Sequence, residues 1–444
     1  MSNLSVIVIG AGKGTRMKSD LSKLLHKVGN LEMVNHVINT AKLLDAEEIV
    51  VVCSEENIEE ISKNVAPNIR TVIQYERKGT AHATQVGYEA LNHKDNNILV
   101  MYGDTPLVKL DTYKEIISLL DMPNTSISDL AFHTANIKNK YGRLITKGDE
   151  VEEIVEYKDA SDDIRNITLC NSGVLAIKSG LLAGLLSKVK NNNASKEYYL
   201  TDIVSISKAE GGICKYIVGT EEEVLGINSQ EELSIAERVF QNNKRKEFMA
   251  KGVTLVDPTS VYFSYDTEIE SNVVIEPNVV FLPGVKVAKN IVIHSFSYLE
   301  QCTLEEGVSV GPFARIRPQT TLKKNSHIGN FVEIKKSTIG EGTKIGHLTY
   351  IGDTTIGNNT NIGAGCITCN YDGFSKFHTN IGNNCFIGSN TVMVSPVNLS
   401  DSCLTAAGSI ITEDVKENDI AIARAKQTNL EGKAISYRQK RNKK

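Results

Sequence analysis

The sequence predicts a Rossmann-like α/β domain with a mostly parallel sheet, followed by a parallel β-helix of hexapeptide repeats. Two observations carry this prediction. Short apolar runs alternate with helical stretches in the first half, and large apolar residues recur every six positions in the second. A chain of 444 residues is also too long for one compact core, so two or three domains are expected.

The first half contains apolar runs that are typical of β-strands. They are Ser5 to Ile9, Glu48 to Cys53, Thr71 to Ile73 and Asn97 to Met101, with amphipathic segments between them. This order favours a parallel sheet wrapped by helices, which binds its ligands at the carboxyl ends of the strands. Two runs lead directly into turns that contain glycine, GAGKGTR and YGD. We therefore expect the chemistry of this domain at these two turns.

A single helix is expected to connect the two halves. The segment from Ser229 opens like a capping box, and apolar residues follow at helical spacing until Gly252. We therefore place the first domain at 1–228, the connecting helix at 229–252, the β-helix at 253–425 and a basic tail at 426–444.

The second half carries the six-residue repeat. It begins with Ile269, Ile275, Phe281, Val287 and Ile293. Ile-Gly pairs then begin at Ile328, Ile339, Ile345, Ile351, Ile356, Ile362, Ile381 and Ile387. In a parallel β-helix each hexapeptide forms one face of a triangular coil, with the apolar side chain inside and glycine at a tight corner. A polar insertion, TCNYDGFSKFHTN, interrupts the repeat and is expected to carry function.

Composition argues against several classes of function. The formal net charge is -4, so the whole chain lacks the basic character typical of nucleic-acid binding. No apolar run approaches the roughly 20 residues that a membrane-spanning helix needs, and the start of the chain lacks the features of a signal peptide. We therefore expect a cytoplasmic protein with no nucleic-acid or membrane partner. The eight cysteines are scattered, which favours reduced thiols.

The turn after the first strand has the composition of a phosphate-binding loop. Its glycines let backbone N–H groups approach phosphate oxygens, and the cations Lys13, Arg16 and Lys23 can neutralise charge during phosphoryl transfer. It is not a Walker A loop, because its lysine precedes the last glycine, and a dinucleotide-binding fingerprint would need glycine in place of Thr15. Asp104 follows another strand, where a carboxylate could hold Mg²⁺ against a triphosphate.

These motifs belong to a series of fragments that resembles the bacterial family of bifunctional N-acetylglucosamine-1-phosphate uridyltransferases and glucosamine-1-phosphate acetyltransferases. The fragments cover nearly the whole chain and are, in order, GAGKGTRM, QYERKGTAHA, MYGDTPL, KYGRL, IVEYKDA, CNSGV, EYYLTDI, EVLGIN, GPFARIRP, NFVEIKK, GHLTYIGD, NIGAGCITCNYDG and AIARA. Each is modest alone, but their order and spacing are specific. The resemblance implies a nucleotidyltransferase domain followed by a left-handed β-helix acetyltransferase domain, which together would make UDP-N-acetylglucosamine.

The resemblance also implies roles for residues of the first domain. Arg16 and Lys23 would be catalytic and would contact the UTP phosphates. The other UTP-binding residues would be Gly12, Gln74, Gly79 and Thr80. N-acetylglucosamine 1-phosphate would be bound by Gly142, Glu156, Asn171 and Asn228, and Mg²⁺ would be bound by Asp104 and Asn228. The sugar phosphate would attack the α-phosphorus of UTP in line, which needs positioning and charge stabilisation rather than a protein nucleophile.

For the second domain, the resemblance implies that His347 is the general base and that Glu333 orients it. Such a base takes the ammonium proton of the sugar before acetyl transfer. Glucosamine 1-phosphate would be bound by Arg317, Lys335, Tyr350, Asn361 and Lys376. Acetyl-CoA would be bound by Asn370, Tyr371, Ser389, Ala407 and Arg424. Because β-helices of the family form trimers with an acetyl site at each subunit boundary, a homotrimer is implied.

Three other interpretations of the β-helix stay open. It could be a regulatory or assembly domain without chemistry, or a purely structural scaffold. It could also be a zinc enzyme similar to γ-carbonic anhydrases, which would need three histidines that converge across a subunit boundary. The chain has His294, His327, His347 and His378, but their spacing gives no short pair of metal ligands.

Overall fold

The structure is a computed structural model that describes residues 3–442. Met1, Ser2 and the last two lysines of the predicted basic tail lie outside the described residues. The chain forms two compact units, which divide between Asn242 and Asn243. This division falls within the helix Gln230–Ala250, in the segment where the sequence predicts the connecting helix.

Nine strands form one sheet in the first unit. In spatial order they are Arg70–Ile73, Glu48–Cys53, Leu4–Ile9, Asn97–Tyr102, Leu169–Ile177, Thr125–His133, Ile213–Gly219, Glu150–Val155 and Arg143–Lys147. The first four of these strands run parallel to one another. They are the four strands that the apolar runs predict, and their observed ends lie within one residue of the predicted ones. The prediction of a parallel sheet is therefore confirmed for this half.

The other half of the sheet is mixed. Leu169–Ile177 runs antiparallel to both of its long neighbours, Asn97–Tyr102 and Thr125–His133. At the far edge, Arg143–Lys147 and Glu150–Val155 form a hairpin whose two-residue turn contains Gly148 at a φ of 66°. Because a turn this short joins only antiparallel strands, this part of the sheet cannot follow the parallel order of the first half.

Helices cover both faces of the sheet. Alternate residues of Leu4–Ile9 point to opposite sides, so that Val6 and Val8 belong to one apolar core and Ile7 to another. The helices on the first side are Met33–Leu43, Ile58–Asn64 and Leu110–Leu119. Those on the other side are Thr80–Glu89, Leu182–Leu186 and Asp202–Ala209. Shorter elements are the helix Asp162–Arg165, the 3₁₀ turns Thr15–Met17 and Lys23–Leu25, and a ribbon of Lys27–Val28 with Leu31–Glu32.

The two glycine turns leave the sheet side by side. Ile9 pairs with Tyr102 in the parallel register, so the turns that follow these residues are neighbours. The backbone N–H of Gly10 donates to the Val52 carbonyl at 2.8 Å, and that of Gly103 donates to the Ile9 carbonyl at 3.0 Å. The predicted chemistry of this unit therefore gathers at one point on the carboxyl edge of the sheet.

The second unit is a parallel β-helix with three faces. The first face consists of Thr254–Leu255, Val274–Ile275, Val292–Ile293, Ser309–Val310, His327–Asn330, Lys344–His347, Asn361–Ile362, Phe386–Ile387, Leu404–Thr405 and Ile420–Ala421. The second consists of Glu268–Ile269, Lys286–Val287, Cys302–Leu304, Thr320–Leu322, Thr338–Ile339, Thr354–Ile356, Thr379–Ile381 and Val397–Leu399. The third consists of Val280–Phe281, Tyr298–Leu299, Arg315–Ile316, Glu333–Lys335, Tyr350–Gly352, Ile367–Cys369, Val392–Val394 and Ile410–Ile411.

The apolar repeat fills the interior of this β-helix. Every residue of the predicted six-residue series, and every isoleucine of the Ile-Gly pairs, is at most 7% exposed. Equivalent residues of successive coils stack in parallel register, as Ile316, Ile334 and Ile351 do on the third face. The prediction of a β-helix is therefore confirmed by its buried and stacked interior residues. The polar insertion forms a loop before the strand Thr379–Ile381, with Phe374 at its tip 94% exposed.

Two further elements complete the described chain. A 3₁₀ turn, Pro258–Ser260, lies near the start of the β-helix, and an exposed helix, Lys433–Arg441, lies in the basic tail. Within residues 3–442, no helix combines the length and the apolar character that crossing a bilayer requires.

Candidate active sites

The phosphate-binding loop is shaped by its glycines. Gly14 has a φ of 61°, and a Cβ there would lie 2.8 Å from the Cβ of Lys23. Glycine is therefore required at this position, both for the backbone conformation and for the space that the lysine stem uses. The loop keeps the Lys23 side chain close, and only 10% of that side chain is exposed.

Lys23 joins the two predicted metal ligands. Its Nζ lies 2.5 Å from Oδ2 of Asp104 and 3.0 Å from Oδ1 of Asn228. The Asn228 amide is held by its own Nδ2, which donates to the Gly226 carbonyl at 3.1 Å, so its oxygen faces the lysine. The structure thus brings together three residues that lie far apart in sequence, around one cationic centre.

A cavity of about 280 Å³ opens beside this centre and contains every predicted UTP-binding residue except Arg16. Those residues are Gly12, Lys23, Gln74, Gly79 and Thr80. The Nε2 of Gln74 donates to the Gly79 carbonyl at 3.2 Å, which fixes the amide that would read a base. At Gly79 the φ is 119°, and a Cβ would lie 2.4 Å from the Tyr198 carbonyl oxygen, so only glycine fits.

A second cavity of about 570 Å³ shares Thr80, Tyr102 and Asp104 with the first. It contains all the residues predicted to bind the sugar phosphate, namely Gly142, Glu156, Asn171 and Asn228. Arg16 lines this second cavity and not the first. The two cavities meet at Thr80, Tyr102 and Asp104, so the contact of Arg16 with the UTP phosphates stays a prediction.

Glu156 is held ready for a polar ligand at this second cavity. Its Oε1 accepts a hydrogen bond from the Thr201 hydroxyl at 3.0 Å, and burial raises the pKa of the carboxyl above its ordinary value. Thr201 was not predicted from the sequence, although it lies within the fragment EYYLTDI. Arg77 was missed in the same way. It lines the first cavity and donates from Nε to the Ala11 carbonyl at 3.1 Å.

A buried arginine shapes one wall of the second cavity. Arg143 is fully buried, and its guanidinium makes hydrogen bonds to Oδ1 of Asn139 and to the carbonyls of Ile137, Asn139, Tyr141 and Arg165. No carboxylate accepts from it within the described residues. The loop that it holds supplies Asn139, Lys140, Tyr141 and Gly142 to the cavity wall. Sequence reasoning missed this residue because its role depends on the shape of a loop.

We expect Arg143→Lys to weaken binding of the sugar phosphate specifically. Lysine keeps the charge but cannot span the five acceptors, so the 137–142 loop loses its fixed shape. The KM for N-acetylglucosamine 1-phosphate should rise at least tenfold, about 1.4 kcal/mol, while the KM for UTP stays within about twofold. Initial rates with each substrate varied in turn measure both constants.

The matched control is Arg165→Lys, because Arg165 faces the same Tyr157 ring from a partly exposed position. This control should leave both KM values near those of the wild type. Equal increases in the two KM values for Arg143→Lys would contradict a specific role in shaping the sugar cavity.

In the second unit, three cations gather on the third face and the insertion. Lys335 and Lys376 lie close together, and the Lys376 ammonium, with a smaller contribution from Arg317, lowers the pKa of Lys335. Arg317 donates from Nη1 to Oε1 of Glu333 at 2.7 Å. Cations packed against one another favour a bound anion, which agrees with the predicted phosphate site for glucosamine 1-phosphate.

His347 is oriented by a different residue from the one predicted. Its Nδ1 lies 2.6 Å from Oδ1 of Asn330, which pairs with it one coil below. Glu333 pairs with Tyr350 and binds Arg317, so the prediction that it orients His347 is corrected for this chain. The reason is the stacking of coils, which places Asn330 and not Glu333 beneath the imidazole. With Nδ1 donating to the Asn330 oxygen, Nε2 remains free to accept a proton.

Two of the residues predicted to bind the substrates of the second unit, Tyr350 and Asn370, lie close together. The Asn370 side chain is buried, and its Nδ2 donates to Oδ2 of Asp353 at 2.6 Å. A Cβ on Gly352 would lie 2.5 Å from the Tyr350 hydroxyl and 2.7 Å from Nδ2 of Asn370, so these two side chains meet above a glycine. Asp353 was not predicted, because its role is to fix a neighbour. Tyr371 is 59% exposed on the insertion, and Asn361 lies partly exposed on the first face.

The remaining acetyl-CoA residues form a column along one edge of the β-helix. The carbonyl of His347 accepts a hydrogen bond from the backbone N–H of Gly365. One coil on, the carbonyl of Ala364 accepts a hydrogen bond from the backbone N–H of Asn390. The Ser389 carbonyl then accepts from Gly408 at 2.8 Å, and Nη1 of Arg424 donates to the Ala407 carbonyl at 2.7 Å. Residues that are far apart in sequence thus follow one another on successive coils, starting from the predicted base.

Within the part of the chain that the structure describes, no group of three or more His, Cys, Asp or Glu residues is arranged to hold a metal ion. The observation does not bear on a magnesium site, since Mg²⁺ commonly takes one or two protein ligands together with phosphates and water.

Comparison with known domain families agrees with both units. Residues 6–136 match the MobA-like NTP transferase domain. In the second unit, residues 266–301 match the bacterial transferase hexapeptide (six repeats), residues 298–374 match the GMPPB C-terminal domain, and residues 378–413 match the hexapeptide repeat of succinyl-transferase. The hexapeptide matches and the three parallel faces identify the second unit as a left-handed parallel β-helix.

Three relatives that align with nearly the whole chain have the same name. A Bifunctional protein GlmU from Paramagnetospirillum magneticum is 44% identical, with 98% of this chain and 97% of the relative aligned. Proteins of the same name from Zymomonas mobilis and from a Ruegeria species are each 46% identical. These alignments cover 99% and 97% of this chain, and 98% and 96% of the respective relatives. The likeness therefore extends through both units.

Proposed function

The chain belongs to the family of bifunctional GlmU proteins, and on this premise we propose which residues carry out each of its two reactions. It is an enzyme of UDP-N-acetylglucosamine synthesis with a uridyltransferase domain and an acetyltransferase domain. In our proposal the second unit acetylates glucosamine 1-phosphate with acetyl-CoA. The first unit then joins the product to the uridylyl group of UTP and releases pyrophosphate.

The junction of the two cavities carries the proposal for uridylyl transfer. UTP occupies the smaller cavity and N-acetylglucosamine 1-phosphate the larger, so that the α-phosphorus and the attacking phosphate oxygen meet at Asp104. Lys23 and Arg16, one on each side, neutralise the charge that develops as the bond to pyrophosphate breaks. Glu156 and Asn171 hold the sugar. No protein nucleophile is required, because the substrate supplies it.

Asp104 and Asn228 suit a magnesium ion. Both present oxygen atoms to one point, and the Lys23 ammonium at that point shows that the pair already accepts a cation. Hard oxygen ligands are those that Mg²⁺ prefers, with substrate phosphates and water completing the shell. Bound there, Mg²⁺ would neutralise part of the charge on the triphosphate.

His347 carries the proposal for acetyl transfer. Its Nε2 takes a proton from the ammonium group of the sugar, and the free amine attacks the thioester carbonyl of acetyl-CoA. The C–S bond then breaks and CoA leaves as the thiol once protonated. Lys335, Lys376 and Arg317 hold the sugar phosphate, and the column from Ser389 to Arg424 holds CoA beside the base.

We also propose a homotrimer, on the strength of an exposed apolar ladder on the β-helix. The ladder consists of Phe296, Phe313, Phe331 and Leu348, which lie on successive coils and are 46% to 63% exposed. The first three rings stack with centroids 4.8 and 5.1 Å apart. All four residues have a left-handed φ near 55°, which costs an apolar residue about 1–2 kcal/mol. Burial against other copies of the chain would offset this cost, and Leu348 adjoins His347.

We expect Phe313→Glu to separate the trimer into monomers and to remove acetyl transfer. A carboxylate in the middle of the ladder would have to be buried without a partner, which costs more than the interface gains there. Uridylyl transfer should stay within about twofold of the wild type, because its residues lie in the first unit. Light scattering after gel filtration measures the mass, and separate assays of CoA and pyrophosphate release measure the activities.

Val256→Glu is the matched control, since Val256 is 59% exposed in the same unit but does not belong to the ladder. It should remain trimeric and active. A monomeric wild type with full acetyltransferase activity would contradict the assembly proposed here.

We place the enzyme in the cytoplasm, where UTP and acetyl-CoA are available as substrates. Its partners in this proposal are these small molecules, the two sugar phosphates and further copies of the chain. No nucleic-acid or membrane partner is proposed, in keeping with the formal net charge of -4.

A further inference from the structure

Lys23 lies where the proposed metal site requires a cation. The distances from its Nζ to Oδ2 of Asp104 and Oδ1 of Asn228 are 2.5 and 3.0 Å. Mg²⁺ would need the same two oxygens at about 2.1 Å. The ammonium and the metal cannot both hold these atoms, because two cations so close together would repel strongly and overlap. One of them has to leave when the other binds.

The surroundings leave Lys23 room to move toward the nucleotide cavity. Its amino group lines the nucleotide cavity, and a Cβ placed on Gly12 would lie 3.8 Å from its Nζ. Gly14 likewise presents no side chain to the lysine stem. The loop therefore allows the side chain to swing toward a nucleotide without displacing another residue. A triphosphate in that cavity offers the negative charge that the lysine would exchange for Asp104.

The charge of the site explains why the lysine stays in place before a nucleotide arrives. The Asp104 side chain is only 18% exposed, so its carboxylate is poorly hydrated and needs a cation nearby. Asn228 adds a neutral oxygen, and its backbone N–H is held by Oε2 of Glu232 at 2.6 Å. Lys23 is the cation that meets this need within the described residues, since no other hydrogen bond or ion pair to the Asp104 carboxylate is present there.

We propose that Lys23 is a built-in counter-ion that keeps metal from binding to Asp104 and Asn228 until a nucleoside triphosphate draws the lysine away. Metal and nucleotide therefore bind as a pair, and neither protein ligand holds metal tightly alone. By linkage, the nucleotide must strengthen metal binding by the same factor by which the metal strengthens nucleotide binding. This inference rests on the proposed uridyltransferase site and extends the role of Lys23 from contacting phosphates to controlling access of the metal.

The test measures binding of Mn²⁺, a magnetic substitute for Mg²⁺, from the loss of its free-ion spin-resonance signal. Wild type and Lys23→Met are each titrated with and without a UTP analogue that cannot be cleaved at the α-phosphorus. Without nucleotide, Lys23→Met should bind Mn²⁺ at least tenfold more tightly than the wild type. The analogue should strengthen Mn²⁺ binding at least tenfold in the wild type and much less in the variant. Both values are taken after the Mn²⁺ that the free analogue binds has been subtracted.

The matched control is Lys42→Met, which makes the same charge change in the same unit at an exposed residue that lies outside both cavities of the proposed site. It should behave like the wild type. Lys23→Gln provides a second variant should the methionine variant be poorly folded, and circular dichroism checks both. Equal Mn²⁺ affinity for the wild type and both Lys23 variants would overturn the counter-ion inference.

Asp104→Asn separates this inference from the proposed site itself. If this variant loses Mn²⁺ binding in the presence of the analogue while the Lys23 variants match the wild type, the metal site stands and the counter-ion role is wrong. If Asp104→Asn binds Mn²⁺ as the wild type does, the metal lies elsewhere, and the proposed ligands are wrong together with the inference built on them.

Discussion

His347→Ala is expected to remove acetyl transfer and to leave uridylyl transfer unchanged. The substitution deletes the only side chain in the column that can accept the ammonium proton, while the cations and the coils around it remain. General-base catalysis contributes about 10²–10⁴ in rate, so CoA release from acetyl-CoA, with glucosamine 1-phosphate as the acceptor, should fall by at least a hundredfold. The residues proposed for uridylyl transfer all lie in the first unit. When pre-acetylated sugar phosphate is supplied, pyrophosphate release from UTP should therefore stay within about twofold of the wild-type rate.

The two activities of this variant are measured separately, by trapping the CoA thiol and by a coupled assay for pyrophosphate. His327→Ala is the control, because His327 lies on the same face of the β-helix one coil away from His347. It should retain both activities. An acetyl-transfer rate near that of the wild type in His347→Ala would remove the base from the proposed mechanism.

Asp104→Asn is expected to have the opposite effect. The amide has the same shape as the carboxylate but carries no charge, so it can neither pair with Lys23 nor ligate a metal as strongly. Uridylyl transfer should fall at least a hundredfold, about 2.7 kcal/mol in activation free energy, while acetyl transfer stays near the wild-type rate. Both activities are again followed separately.

Asp121→Asn provides the control for this loss. Asp121 is an exposed aspartate of the same unit and lies outside both cavities of the proposed uridyltransferase site. The control should keep the wild-type rate of pyrophosphate release. Retention of uridylyl transfer in Asp104→Asn would contradict the assignment of the cavity junction as the reacting centre.

The sequence was sufficient to predict the parts of the fold that depend on local patterns. The first four strands are continuous apolar runs, because helices bury both faces of that part of the sheet. The β-helix is predicted equally well, since its interior positions recur about every six residues on both sides of the polar insertion. The mixed half of the sheet was not predicted, because its pairing depends on which strands meet in space and not on their composition.

The sites, too, could be predicted only in part from the sequence. Residues carried over from family fragments, such as Gln74 and Gly79, lie together in one cavity, and their role in binding UTP stays a prediction. The supporting residues were missed, because a residue that only holds another, as Asn330 holds His347, carries no chemical pattern of its own. The predicted contact between Glu333 and His347 is absent for a related reason. Stacking of the coils, which the sequence does not display, decides which side chains are neighbours.

The central claim is that one chain carries two separate reactions that operate in sequence. The most direct test supplies the purified protein with glucosamine 1-phosphate, acetyl-CoA, UTP and Mg²⁺, and follows free CoA and pyrophosphate separately. We predict release of both, with pyrophosphate following CoA and depending on acetyl-CoA. Release of pyrophosphate only when pre-acetylated sugar phosphate is supplied, with no CoA released, would contradict the claim and would make the β-helix a scaffold.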